Sequence, residues 1–334
     1  MNQLDLLTAG RAPRVTDAEL LALRPAKNPV DPWRPYALLV EEERAASGQV
    51  EPVATVFLTN RECPFRCLMC DLWKNTTDEP VPRGAIPAQL DLALQQLPAT
   101  RHIKLYNSGN FFDRQAIPPA DFPAIAARLR GFRTVIVECH PRLVGDDCLR
   151  FRDLLGPDQE LEVALGLESV HPQVLARLNK QMTLDDFARA AERLTGAGIA
   201  VRAFVLLRPP PLDEHAGVVW GRAAVEFAVA TGARVVAVIP TRAGNGLLDR
   251  WQADGWFSPP RLRSLEAIQE AALAAVRGRG RVFVDLWDLA RLSDCAACFD
   301  ARHNRLDRIN RTQQVEPRPD CPNCRSLAGA AERR

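Results

Sequence analysis

Cys63, Cys67 and Cys70 stand with three and then two residues between them. Four more cysteines form two pairs near the C-terminus, Cys295/Cys298 and Cys321/Cys324, which leaves only Cys139 and Cys148 apart. Thiolates are the preferred soft ligands of iron–sulfur clusters and of tetrahedral zinc. Seven clustered thiols in a chain with no evident export signal read as metal ligands, not as a disulfide framework. Three ligands in so short a loop suit a [4Fe–4S] cubane with one iron left open. That iron could chelate a substrate or cofactor and pass it an electron. A buried apolar cysteine group, or part of a zinc site completed elsewhere, is the competing reading.

The segments CAAC (295–298) and CPNC (321–324) enclose 22 residues. Two such pairs fit a closed four-cysteine zinc knuckle with a structural role. A second [4Fe–4S] cluster would use the same four ligands. Between the pairs, Arg302, Arg305, Arg308 and Arg311 recur every three residues, along one side of a helical segment. They read either as a solvated basic face or as a strip contacting phosphates, as an RNA-modifying enzyme needs.

The elements that must position these groups begin at Val53. Apolar, β-branched runs occur at 53–59, 102–107, 134–139, 161–167, 199–207 and 234–240, with amphipathic helical patterns between them. Strand then helix, repeated over this span, implies a parallel sheet with right-handed crossovers. A short further strand is expected at 281–286 after a helix at 264–276. The first strand–helix turn reads TNRECPFRCLMC, so the glycine-rich turn of a dinucleotide site is missing. The expected fold class is α/β, an incomplete (β/α)6 TIM-type barrel with functional groups at the C-terminal strand ends. Three parts are expected: an N-terminal arm over 1–50 with a short helix and no core, the partial barrel over 51–286, and a Cys-rich metal-binding module over 287–334.

With 334 residues, 47% hydrophobic and 25% charged, the chain has an ordinary globular composition, which excludes fibrous and disordered classes. A net charge of +2 neither demands nor excludes nucleic acid. The opening MNQLDLLTAG carries Asp5 and lacks a basic, then apolar, signal pattern. The longest apolar stretch, 216–240, is broken by Arg222, Glu226 and Arg234, so no membrane span is expected and the chain reads as cytoplasmic.

CxxxCxxC after the first strand of a β/α barrel resembles the radical S-adenosylmethionine superfamily. The resemblance implies that Cys63, Cys67 and Cys70 bind the cluster. Its open iron would take the amino and carboxylate groups of S-adenosylmethionine, whose reductive cleavage gives a 5′-deoxyadenosyl radical. Met69 would lie against the adenine. Asn107, Ser108, Gly109 and Asn110 occupy the strand end that receives the methionine amino group, by position only, because the usual carboxylate is missing. Glu138, Glu168 and Arg208 are the further cofactor-binding candidates at strand ends, and Lys180 or Arg208 could neutralise a carboxylate. GLES (166–169) and the segment 171–210 resemble the branch containing the elongator catalytic subunit. FLTNRECPFRCLMCDLWKNT, KLYNSGNFFD and GWFSPPRLRSLEAI resemble more narrowly the radical subunit of archaeosine synthase and its uncharacterised relatives. That group converts a lysine adduct on a deazaguanine base of tRNA to a formamidine. The loop IPTRAGNG (239–246) departs from the polar pattern expected there and is a place for substrate choice.

Three functions stay open on the sequence. One is a radical enzyme acting on a tRNA base or another large substrate with an electron donor, its partner subunit unknown. Another is a radical enzyme of small-molecule biosynthesis, and the last a zinc-dependent nucleic-acid-binding protein without enzymatic activity.

Overall fold

The computed structural model describes residues 13–324. The opening residues read for a signal, and the end of the C-terminal module beyond Cys324, lie outside the described residues. A short helix, α1 (Asp17–Ala22), is closed at its start by the reciprocal Thr16–Glu19 capping box. Strand β1 (Ala37–Arg44) then pairs antiparallel with β2 (Val50–Phe57). From there strand and helix alternate through α2 (Ala85–Gln96), β3 (His102–Tyr106), α3 (Phe122–Arg128), β4 (Thr134–Cys139), α4 (Asp146–Leu154) and β5 (Glu160–Glu168). The second half follows with α5 (Pro172–Arg177), α6 (Leu184–Gly196), β6 (Ala200–Leu207), α7 (Glu214–Ala230), β7 (Val235–Pro240), α8 (Leu247–Ala253), α9 (Leu262–Val276), β8 (Arg281–Val284) and α10 (Phe299–Thr312).

The eight strands lie in one sheet in chain order, with every pair from β2 to β8 parallel. The sheet curls into a half-barrel. Its helix-facing side chains, such as Val56, Ile103, Val135, Val163, Val201 and Val236, are fully buried in one core with the helices. The run 37–44 differs from the expectation of a coreless arm. It reads as a charged surface run, yet it forms the edge strand of the sheet, because its acidic side chains meet cations inside the half-barrel. Lys104 Nζ lies 2.7 Å from Glu43 Oε2, and Arg202 Nε lies 2.6 Å from Glu162 Oε1. Burial alone would raise the Glu43 carboxyl, but Arg202 and Lys104 hold it well below the usual carboxylate range.

Above this charged floor, Phe57, Tyr106 and Phe204 form an aromatic layer, with centroids 6.3 Å and 6.2 Å apart in edge contacts. The sheet does not close between β8 and β1. Helix α10 occupies that seam, where Arg44 Nη1 donates to the Arg311 carbonyl at 3.1 Å. No helix among the described residues is long and apolar enough to cross a membrane.

Candidate cluster site at the mouth of the half-barrel

The chain leaves β2 at Phe57 and carries the cysteine triad across the C-terminal end of the strands. Cys67 is buried, and Cys63 and Cys70 are half-buried. The loop is tied down on both sides. Leu68 N–H donates to the Leu178 carbonyl at 2.8 Å, while Asn245 Nδ2 donates to the Leu68 carbonyl at 2.6 Å. Asn179 Nδ2 holds the Arg66 carbonyl at 2.8 Å. Phe65 stacks on His140, with centroids 3.8 Å apart and planes 13° from parallel. Burial pushes the Cys63 and Cys67 thiols up to about 11 and Cys70 to about 12, with Lys180 acting the other way on Cys63 and Cys67. A bound cation would supply the charge that opposes this upward pull and favours the thiolates, as at a metal site.

The turn 107–110 lies beside the triad and hangs on Glu138. One oxygen, Glu138 Oε1, accepts from Asn107 N–H at 2.7 Å and from Gly109 N–H at 3.2 Å. Burial raises the Glu138 carboxyl to about 7, against the pull of those backbone donors. Ser108 takes φ +54 and shares a 2.7 Å hydrogen bond with the Tyr36 hydroxyl. Gly109 packs so close that a β-carbon there would come within 3.3 Å of Cys63 Cβ. Asn107 is fully buried, and Asn60 Nδ2 donates to its carbonyl at 2.8 Å. Asn110 turns toward the triad, with Nδ2 3.0 Å from Cys63 Sγ.

Glu168 ends β5 at φ +65, beside a register shift between Gly166 and Glu168. Its Oε1 accepts from Lys180 Nζ at 2.7 Å, and both side chains are less than a tenth exposed. Gly166 makes room for the pair, since a β-carbon there would collide with both Glu168 Oε1 and Lys180 Nζ. Met69 is half-buried and packs against two apolar groups, one with Leu206 and the other with Leu247. Arg208, the remaining cofactor candidate, directly follows β6. Its Nη1 is committed to Glu214 Oε1 at 2.7 Å and to the Pro259 carbonyl at 2.9 Å, because the start of α7 offers a carboxylate six residues on.

Sequence reasoning passed over Asn60, Phe65 and His140 as site residues. Each is an uncharged side chain whose importance depends on which loop lands on it, so no spacing marks it.

At the C-terminal pairs, the four sulfurs lie within 4.8 Å of one another. Cys295 and Cys321 are 3.9 Å apart, and Cys298 and Cys324 are 3.5 Å apart. Tetrahedral zinc with 2.3 Å bonds to sulfur separates its ligands by about 3.8 Å. The arginines between the pairs do fall on one helix, α10, but they do not form a free phosphate strip. Arg302 donates to both oxygens of Glu266, and Arg305, 1% exposed, pairs with Glu270 at 2.7 Å. Arg308 pairs with Glu316 and Arg311 with Asp307. The carboxylates come mostly from α9 and from the loop after α10, which sequence spacing within α10 cannot show.

No family model matches the chain. It is 28% identical over 159 residues to archaeosine synthase subunit beta of Thermococcus kodakarensis, covering 46% of this chain and 49% of that protein. It is 21% identical over 251 residues to an uncharacterized protein of Methanocaldococcus jannaschii, covering 70% of this chain and 68% of the other. The chain thus spans about half the length of the archaeosine synthase subunit it matches. Among solved structures, archaeal Elp3 from Methanocaldococcus infernus aligns with a TM-score of 0.48 at 14% identity, over 66% of this chain and 58% of that one. Coproporphyrinogen III oxidase from Escherichia coli, described as a radical SAM enzyme, aligns with a TM-score of 0.45 at 14% identity, over 80% of this chain and 56% of that one.

Proposed function

We propose that this chain is a radical S-adenosylmethionine enzyme. The observation that carries the reading is the convergence of Cys63, Cys67 and Cys70 at the C-terminal mouth of the half-barrel, beside the turn 107–110. These residues fit the cluster: the donor set is three soft thiols, with Cys67 buried and Cys63 and Cys70 half-buried. When bound, a [4Fe–4S] cluster supplies the electron that cleaves S-adenosylmethionine to a 5′-deoxyadenosyl radical for hydrogen abstraction. The chain's own residues then do the rest. The Glu138-pinned turn offers backbone groups for the methionine amino end. Met69 offers an apolar contact for the adenine, and the Glu168–Lys180 pair lies against the thiols as a polar wall.

The substrate reading is a tRNA base, supported by the relatives named as archaeosine synthase subunits, with a partner subunit and an external electron donor in the cytoplasm. A small-molecule substrate is the second reading. It gains from the burial of Arg302 and Arg305, which removes the basic strip expected to meet phosphates, and the reading as a bare nucleic-acid-binding module loses its footing for the same reason. The C-terminal cysteines hold one tetrahedral ion, zinc, in this proposal. A four-iron cubane would spread its thiolates wider, since each binds a different iron.

Anaerobic reconstitution with iron and sulfide tests the cluster reading. The wild type gains the broad visible absorbance of an iron–sulfur cluster, and the Cys63→Ala/Cys67→Ala/Cys70→Ala variant does not. A wild type that stays colourless overturns it. Affinity for tRNA as a function of salt then separates the substrate readings.

A further inference from the structure

The Asn110 amide has a fixed orientation, and that orientation aims a donor at one triad sulfur. Its Oδ1 accepts from the backbone N–H of His140 at 2.5 Å. Turning the amide over would set its NH2 group against that N–H, donor to donor, so Nδ2 is the atom facing Cys63 Sγ at 3.0 Å. Asn110 is 2% exposed, so water does not compete for the contact. Both ends of the bridge are themselves held. His140 Nε2 lies 2.9 Å from the Lys180 carbonyl, its Nδ1 accepts from Arg142 N–H at 3.2 Å, and its ring stacks on Phe65 inside the triad loop. On the other side, Phe111 N–H donates to the Glu138 carbonyl at 2.8 Å, which fixes the backbone directly after Asn110.

We infer that Asn110 is a positioning residue that donates a hydrogen bond to the Cys63 thiolate and thereby raises the reduction potential of the bound cluster, instead of contacting S-adenosylmethionine. A donor on a ligating sulfur withdraws electron density from it and favours the reduced, more negative state. Because His140 sets the amide and also stacks on Phe65, the same unit fixes the position of Cys63 and the polarity of its surroundings. The inference rests on the cluster reading above and assigns this residue a role within it.

Two readouts test it on the full-length reconstituted protein. Asparagine-selective 15N labelling, with pulsed electron paramagnetic resonance of the reduced cluster, detects a 15N coupling in the wild type if Nδ2 holds the thiolate. That coupling disappears in Asn110→Asp, which keeps the shape and removes the donor. In a redox titration, Asn110→Asp and Asn110→Leu load the cluster with a midpoint potential shifted to more negative values. The inference is overturned by a wild type that loads its cluster without a 15N coupling, whatever the variants do. It is equally overturned by loaded Asn110→Asp with an unshifted potential. A wild type that loads no cluster sinks the cluster reading itself, a different outcome from either.

Discussion

Asn310 grips Val284 by both of its backbone groups. Its Oδ1 accepts from Val284 N–H at 2.9 Å and its Nδ2 donates to the Val284 carbonyl at 2.9 Å. One step along β8, Gln313 does the same for Val282, accepting at 2.7 Å and donating at 2.9 Å. Two side-chain amides of the C-terminal segment thus take the place of a neighbouring strand on the open edge of the sheet. An uncovered edge is a template for unwanted pairing. Because Cys298 immediately precedes α10, the four-cysteine site anchors the element that covers the seam.

Asn310→Ala leaves the Val284 N–H and carbonyl without their partner, at a cost of about 1–3 kcal/mol. Hydrogen exchange at Val282 and Val284 accelerates by about one to two orders of magnitude, while exchange in β4 stays as it was. Removing metal from the C-terminal cysteines with a chelator accelerates the same amides. Unchanged β8 protection after both treatments contradicts a clamp.

The Glu168–Lys180 pair is buried beside the triad, so removing one partner strands the other. Lys180→Met lowers stability by about 3–5 kcal/mol, whereas Glu168→Gln/Lys180→Met together cost less than Lys180→Met alone. Chemical denaturation of the four proteins gives the coupling. Additive losses contradict the pairing.

Glu138 gives the metal-free protein a pH dependence opposite to that of an ordinary salt-bridged carboxylate. Its carboxyl stands near 7 in the fold against an ordinary value of 4.5. Between those values the folded chain holds a proton that the unfolded chain has released, so stability falls as pH rises through that window. The loss is on the order of 3 kcal/mol, from the size of the shift. Glu138→Gln still accepts from Asn107 and Gly109 and flattens the curve. Denaturation midpoints from pH 4 to 8 check this, and parallel curves for the two proteins contradict it.

Two arginines three residues apart on α10 behave differently. Arg305→Met takes the buried donor away from the Glu316 carbonyl while Arg318 still holds Glu270, and it lowers stability by about 1–3 kcal/mol. Arg308→Gln, at an exposed pair, changes it by less than about 1 kcal/mol. Equal and small effects from both would restore the picture of a solvated basic face.

Much of this was legible in the sequence because hydrophobic periodicity reports burial, and the strands from β2 to β8 are buried along most of their length. The triad's place after the first parallel strand followed from the same rhythm. The spacing 63–67–70 reads as a ligand set without needing a fold. Strand β1 was hidden because Glu41–Arg44 reads as surface, and only the meeting of Glu43 with Lys104 and Arg202 makes its burial tolerable. The α10 arginines show the converse. Their period was visible, but the carboxylates that neutralise Arg302 and Arg305 lie on α9, more than thirty residues away. Lys180 and Arg208 stood out equally as cations for a carboxylate, and each pairs with a carboxylate of the protein, Lys180 with Glu168 and Arg208 with Glu214. Nothing in a single sequence names those partners.

The most direct measurement is the fate of S-adenosylmethionine with the anaerobically reconstituted protein and a chemical reductant. The account predicts 5′-deoxyadenosine from the wild type and none from the Cys63→Ala/Cys67→Ala/Cys70→Ala variant. A loaded wild-type cluster that releases no 5′-deoxyadenosine, or equal release by the triple variant, contradicts it.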